Sequence, residues 1–165
     1  MSEFKPLDPT ACGLFLVAAI SFPLALDCFL PDKFAGPPAE LFILLGFLIG
    51  LVAFLAYRAE SNFGFTVFLL VAAAVFATGY GLGAWGSIGF AILFAMTIGW
   101  SIIAKTPKTL TLILCTTTLI FLFAGLPGVV DVDLTTALGI VSILNFLFCF
   151  YLGFALVSDG KVPVF

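Results

Sequence analysis

The sequence predicts an all-α polytopic membrane protein, a single domain spanning residues 1–165 with six transmembrane helices. Two observations predict this class. Of the 165 residues, 63% are hydrophobic and only 9% are charged, whereas soluble domains carry about 25% charged residues. Charged side chains are also absent from five long stretches, at 9–26, 41–57, 61–104, 109–130 and 134–158. Because the bilayer core excludes charge and is crossed by roughly 20 residues of helix, these stretches predict membrane spans.

The first four helices follow in order along the chain. The first is expected at 10–30, retained rather than cleaved as a signal peptide, with Pro23 kinking it or ending it near Phe22. The second is expected at 38–57. Residues 61–104 as one helix would be about 66 Å long, twice the thickness of the bilayer core. Glycine residues between 79 and 86 therefore predict a turn that divides this stretch into helices at 64–82 and 85–104.

The last two helices and the loop charges complete the topology. The fifth helix is expected at 109–126, ended by Gly125-Leu126-Pro127-Gly128, and the sixth at 134–157. Six spans place both termini, the second loop and the fourth loop on one side. That side carries five of the six basic residues, Lys5, Arg58, Lys105, Lys108 and Lys161. The bias predicts a plasma-membrane protein with cytoplasmic N- and C-termini.

Small residues suggest how the helices pack. Gly46 and Gly50 form a GxxxG pattern in the second helix, which is typical of close helix contact, although a glycine-lined pore wall would have the same sequence. The four cysteines lack metal-binding spacing, so small buried hydrophobes are expected, with a disulfide or metal site as the alternative.

The sequence offers little to support catalysis. It contains no histidine, and no carboxylate pair or Ser-Lys arrangement lies at membrane depth. Asp27 lies at the outer end of the first helix, and we expect a solvated or interfacial carboxylate or, alternatively, a pore-mouth group. We therefore expect no enzyme activity, no metal, no cofactor and no nucleic-acid partner.

Uncharged polar residues in the last two helices are the better candidates for a site. Thr116, Thr117 and Thr118 lie in the centre of the fifth helix, where threonine hydroxyls commonly bond to carbonyls of their own helix. Ser142 and Asn145 share one face of the sixth helix. Asn145 is expected to form an interhelical hydrogen bond, with solute contact as the alternative.

Two segments resemble the acetate uptake transporter family, the succinate–acetate permeases. Asp8-Pro9-Thr10-Ala11-Cys12-Gly13-Leu14 is similar to the family's Asn-Pro-Ala-Pro-Leu-Gly-Leu signature, with matches at Pro9, Gly13 and Leu14 and departures at Asp8, Ala11 and Cys12. Residues 57–68 are similar to its junction between helices 2 and 3, a basic loop followed by Phe-Gly-x-Thr-x-Phe. After Asn62, the matching residues are Phe63, Gly64, Thr66 and Phe68.

This resemblance implies a six-helix protomer that assembles as a homohexamer, with one pore in each subunit for acetate or succinate. In that family, the neck of the pore resembles a ring of Phe, Tyr and Leu side chains from helices 1, 3 and 5. The matched motifs place these positions at Val17, Val71 and Thr117, all three of which differ here. A divergent member with a wider or differently gated neck is expected.

Three functions follow as hypotheses. The first is a passive or proton-linked channel for a small monocarboxylate such as acetate, held at Val17, Val71, Thr117, Thr116 and Asn145 rather than by a fixed cation. The second is a channel for an uncharged solute such as urea, a short amide, ammonia or a gas. The third is a non-transporting membrane scaffold subunit, which would have a closed centre.

Overall fold

The protein folds as six helices that are each long and apolar enough to cross a membrane. The computed structural model describes residues 9–158 and 161–164, and all regular secondary structure in these residues is helical. The helices are α1 (Thr10–Phe29), α2 (Ala39–Arg58), α3 (Asn62–Gly79), α4 (Ala84–Ile103), α5 (Lys108–Gly125) and α6 (Thr135–Val157), with a 3₁₀ turn at Leu126–Gly128. The all-α prediction is confirmed in this part of the chain.

The helices form a ring in chain order. Each helix contacts the next one in sequence, and α6 closes the ring by packing along α1. The α2–α3, α1–α6 and α4–α5 pairs are the closest, and α3 touches α4 least. Gly46 lets α2 approach α3, since a Cβ at this position would lie 2.8 Å from the backbone nitrogen of Phe76. The GxxxG segment therefore lies at a helix contact.

Two helices differ from the sequence-based expectation in an informative way. The expected first helix at 10–30 agrees with α1, and only the alternative of an early end near Phe22 is wrong, because the helix continues through Pro23 to Phe29. A proline removes one hydrogen bond of the helix. The last turn of α1, after Pro23, is nevertheless helical, and it packs against Gly139 of α6. Helix α3 begins at Asn62, two residues early, because the Ser61 hydroxyl accepts a hydrogen bond from the Gly64 amide at 3.1 Å.

Helices α2 and α4 are each followed within two residues by a residue in the left-handed conformation. Glu60 has φ of 60° and Lys105 has φ of 52°. The amide after each of them bonds back into the last helical turn, Ser61 to Ala56 O at 3.0 Å and Thr106 to Ser101 O at 3.2 Å. These bonds satisfy carbonyls at the helix end and turn the chain sharply into the next helix.

Candidate functional site: two cavities that meet at a neck

Two cavities lie inside the ring, one toward each end of the bundle. The termini-side cavity, at the end where α1 begins and α6 ends, has a volume of about 260 Å³. The far-side cavity, at the opposite end, has a volume of about 190 Å³. A single water molecule needs only about 10–15 Å³ on this measure. Both cavities therefore have room for a small solute.

Three side chains line both cavities: Val17 of α1, Val71 of α3 and Thr117 of α5. They come from alternate helices of the ring, and Val71 and Thr117 are each only 7% exposed. We call these three residues the neck. The neck therefore consists of two valine side chains and one threonine side chain, and it lies between the two cavities.

The matched motif residues lie on the termini side of the neck. Leu14, Phe63, Gly64 and Phe68 line the termini-side cavity. Gly13 and Phe68 are in direct contact, since a Cβ at Gly13 would meet the Phe68 ring. This contact brings the two motif segments, one on α1 and one on α3, together. Pro9 is buried just before α1, Asn62 and Thr66 are exposed, and Asp8 lies outside the described residues.

Asn145 of α6 joins three helices at the level of the neck and lines the far-side cavity. It is fully buried. Its amide nitrogen donates to the hydroxyls of Thr116 and Thr117, both at 2.9 Å, and to Ile113 O at 3.3 Å. Its carbonyl oxygen accepts from the Ser21 hydroxyl of α1 at 3.0 Å. Because Ile113 O can only accept, the amide nitrogen must face α5.

The three consecutive threonines of α5 use their hydroxyl protons differently. Thr116 shares its one proton between Leu112 O and Ile113 O, both at 3.0 Å, and Thr118 donates to Leu114 O at 2.8 Å. Thr117 accepts from Asn145, but no described residue accepts its own proton. Thr116 was a sequence-based pore candidate, yet it lines neither cavity, because its hydroxyl is turned to its own helix and to Asn145.

Sequence reasoning missed three hydroxyls of the far-side cavity, on Ser21, Thr78 and Ser87. Two of them could have been found. Ser21 follows Val17 by four residues and Thr78 follows Val71 by seven, so each shares a helix face with a neck residue. Ser87 could not have been found from the sequence, because no motif on α4 indicates which face of that helix points into the cavity. Asp27 does not line this cavity and lies half-buried beside Gly36.

No full charge is present among the described residues that line either cavity. The hydrogen-bonding groups at the far side and the neck are hydroxyls and one amide. Across the described chain, no group of three or more His, Cys, Asp or Glu side chains could hold a metal ion. The four cysteines are free, and Cys12 is exposed rather than buried because it lies on the outward face of α1.

No protein-family model, curated protein or solved structure matches this chain.

Proposed function

We propose that the protein is a channel or transporter for small monocarboxylates such as acetate, rather than an enzyme. The observation that carries the proposal is the pair of cavities, on opposite sides of one neck, inside a ring of six membrane-length helices. A scaffold subunit would not need internal space at both ends of its bundle. The resemblance of residues 8–14 and 57–68 to the acetate uptake transporter family supports a carboxylate solute.

The composition of the neck supports a solute with one apolar end and one polar end. Val17 and Val71 carry only methyl groups, whereas Thr117 carries both a methyl group and a hydroxyl. Acetic acid has one methyl group and one carboxyl group, so it matches this pairing. Succinate, with a carboxyl group at each end, would place a second polar group against the valines, and we expect it to pass more slowly.

The finer parts of the proposal concern assembly and location. We propose a homohexamer with one pore in each protomer, surrounded by membrane lipid, in the plasma membrane. The excess of Lys and Arg at the termini side supports a cytoplasmic location for both chain ends. Transport is passive or linked to protons.

The test is flux of labelled acetate into vesicles that contain the purified protein. Vesicles of saturated lipid and cholesterol keep the lipid route slow, and protein-free vesicles supply the background. We expect flux above that background, larger at pH 5 than at pH 7 for the same total acetate. Equal flux with and without the protein at both pH values would refute the proposal.

A channel for an uncharged solute such as urea is a second candidate, favoured by the absence of charge from both cavity linings. Stopped-flow swelling of the same vesicles with urea and with acetate separates the two candidates. Rapid swelling with urea but not with acetate would replace the first candidate by the second.

A further inference from the structure

We propose that the Thr117 hydroxyl is the group that recognises the solute at the neck, and that the species it passes is the protonated, neutral acid. This inference rests on the proposed function. It goes further by naming the recognising group and the chemical form of the solute. The supporting observation is which hydrogen-bond donors and acceptors of α5 already have a partner and which do not.

The Thr117 proton is left over because its usual acceptor is already occupied. A threonine in a helix commonly donates to the carbonyl four residues earlier, here Ile113 O. That oxygen accepts from the Thr116 hydroxyl at 3.0 Å and from the Asn145 amide at 3.3 Å, in addition to the helix amide of its own turn. Three donors therefore compete for the two lone pairs of this carbonyl, although Thr116 shares its one proton with Leu112 O, and the Thr117 hydroxyl is not among them.

Asn145 also fixes the position of the Thr117 oxygen. A hydroxyl has one proton to donate and two lone pairs to accept with. The Asn145 amide uses one lone pair at 2.9 Å. One proton and one lone pair remain on this hydroxyl, whose residue lines both cavities together with Val17 and Val71. A solute crossing the neck therefore meets one donor and one acceptor on the same atom.

A neutral carboxylic acid matches this pair of groups. Its carbonyl oxygen accepts from the Thr117 hydroxyl, while its own O–H donates to the remaining lone pair on the same oxygen. Both polar groups of the acid are then satisfied, and its methyl group contacts the two valines. No bond is made or broken in this step, and the acid keeps its proton throughout.

The carboxylate anion fits the neck less well. An ion removed from water needs an opposite charge or several hydrogen-bond donors to replace its hydration, and the lining of the neck offers a single neutral hydroxyl with no Lys or Arg. The neutral fraction of a simple carboxyl with a pKa of about 4.3 is about one in 500 at pH 7 and about one in six at pH 5. Flux at constant total acid should therefore rise by about 80-fold between these two pH values.

The experiment compares the wild type with T117V, T117S and T118V in the acetate flux assay. Valine has nearly the shape of threonine, so T117V removes the hydroxyl and little else. We expect T117V to lower flux about tenfold, which corresponds to about 1.4 kcal/mol. T117S should retain flux within about twofold because it keeps a hydroxyl. T118V is the matched control, because Thr118 donates to its own helix and lines neither cavity.

The contribution of Asn145 as a positioning residue is tested by a double mutant. In N145L, the Thr117 oxygen loses the amide that holds it, so its hydroxyl is free to turn away from the neck. We expect N145L to lower flux, and we expect N145L/T117V to be no slower than T117V alone. If Asn145 had a purely structural role, the fold-loss of flux in N145L/T117V would instead be the product of the losses in the two single variants.

The outcomes separate the inference from the function on which it rests. If the wild type passes no acetate, the proposed function fails. If the wild type passes acetate and T117V passes it equally well, the recognition role of Thr117 is refuted while the proposed function stands. If flux does not increase from pH 7 to pH 5, transport of the neutral acid is refuted.

Discussion

Replacing Asn145 by leucine tests whether the polar network at the neck also holds the helix ring together. Leucine fills a similar volume but cannot bond to Ser21, Thr116, Thr117 or Ile113 O, the four interhelical partners of this amide. Interhelical hydrogen bonds in membranes contribute about 0.6 kcal/mol each on average. We therefore expect N145L to lower the free energy of unfolding by about 2–3 kcal/mol.

Ser142→Ala is the matched control, one turn away on the same face of α6. Ser142 is fully buried like Asn145, but its hydroxyl has no hydrogen-bond partner among the described residues. Because an unpartnered buried hydroxyl is unfavourable, S142A should leave stability unchanged or raise it by up to about 1 kcal/mol. Reversible unfolding by SDS in mixed micelles measures both variants. A loss below about 0.5 kcal/mol for N145L, or an equal loss for S142A, would refute the reasoning.

Three further predictions concern the packing, the turns and the loops. Gly46→Ala should destabilise the protein by about 1–3 kcal/mol in the same unfolding assay, because its Cβ would meet the α3 backbone, whereas Gly89→Ala, which meets nothing within 4 Å, should not. Glu60→Gly should raise the free energy of unfolding by about 1 kcal/mol, because glycine adopts a φ of 60° without strain, and no stabilisation would contradict this reading. The Asp133 carboxylate accepts from the Thr135 amide at 2.9 Å, which holds the pKa of Asp133 below its usual value. Its contribution to stability is therefore full above the usual carboxyl pKa and is lost as pH falls through the lowered value. An NMR titration of this side chain should show the low pKa, and an ordinary pKa would contradict it.

Much of the fold could be predicted from where charge is missing. The charge-free stretches and the glycine turn near residue 81 give six helices whose ends differ from the structure by at most three residues. Boundary errors arise where a single side chain decides the end, as Ser61 does for α3. The sequence left two possibilities for Pro23, a kink within a helix at 10–30 or an early end near Phe22, and the structure shows that α1 continues to Phe29.

The candidate site was only partly predictable, for a different reason. Counting from the motif residues on α1 and α3 leads to Val17 and Val71, and these do line a common neck with Thr117. The hydrogen bonds around Asn145 depend on how α5 and α6 are rotated against each other, and no sequence pattern specifies that rotation. For the same reason, the sequence did not distinguish Thr117 from Thr116 and Thr118, although only Thr117 lines the cavities.

The proposed function requires that solutes cross the protein through the neck, so a side chain that fills the neck should block them. Acetate flux in vesicles should be compared between Val71→Trp, which places an indole in the neck, and Leu69→Trp, which places the same ring on an exposed position of α3. Both variants must first show wild-type helix content and elution volume. We expect acetate flux through V71W to fall to the background of protein-free vesicles, whereas L69W should keep wild-type flux. Wild-type flux through a folded V71W variant would contradict it.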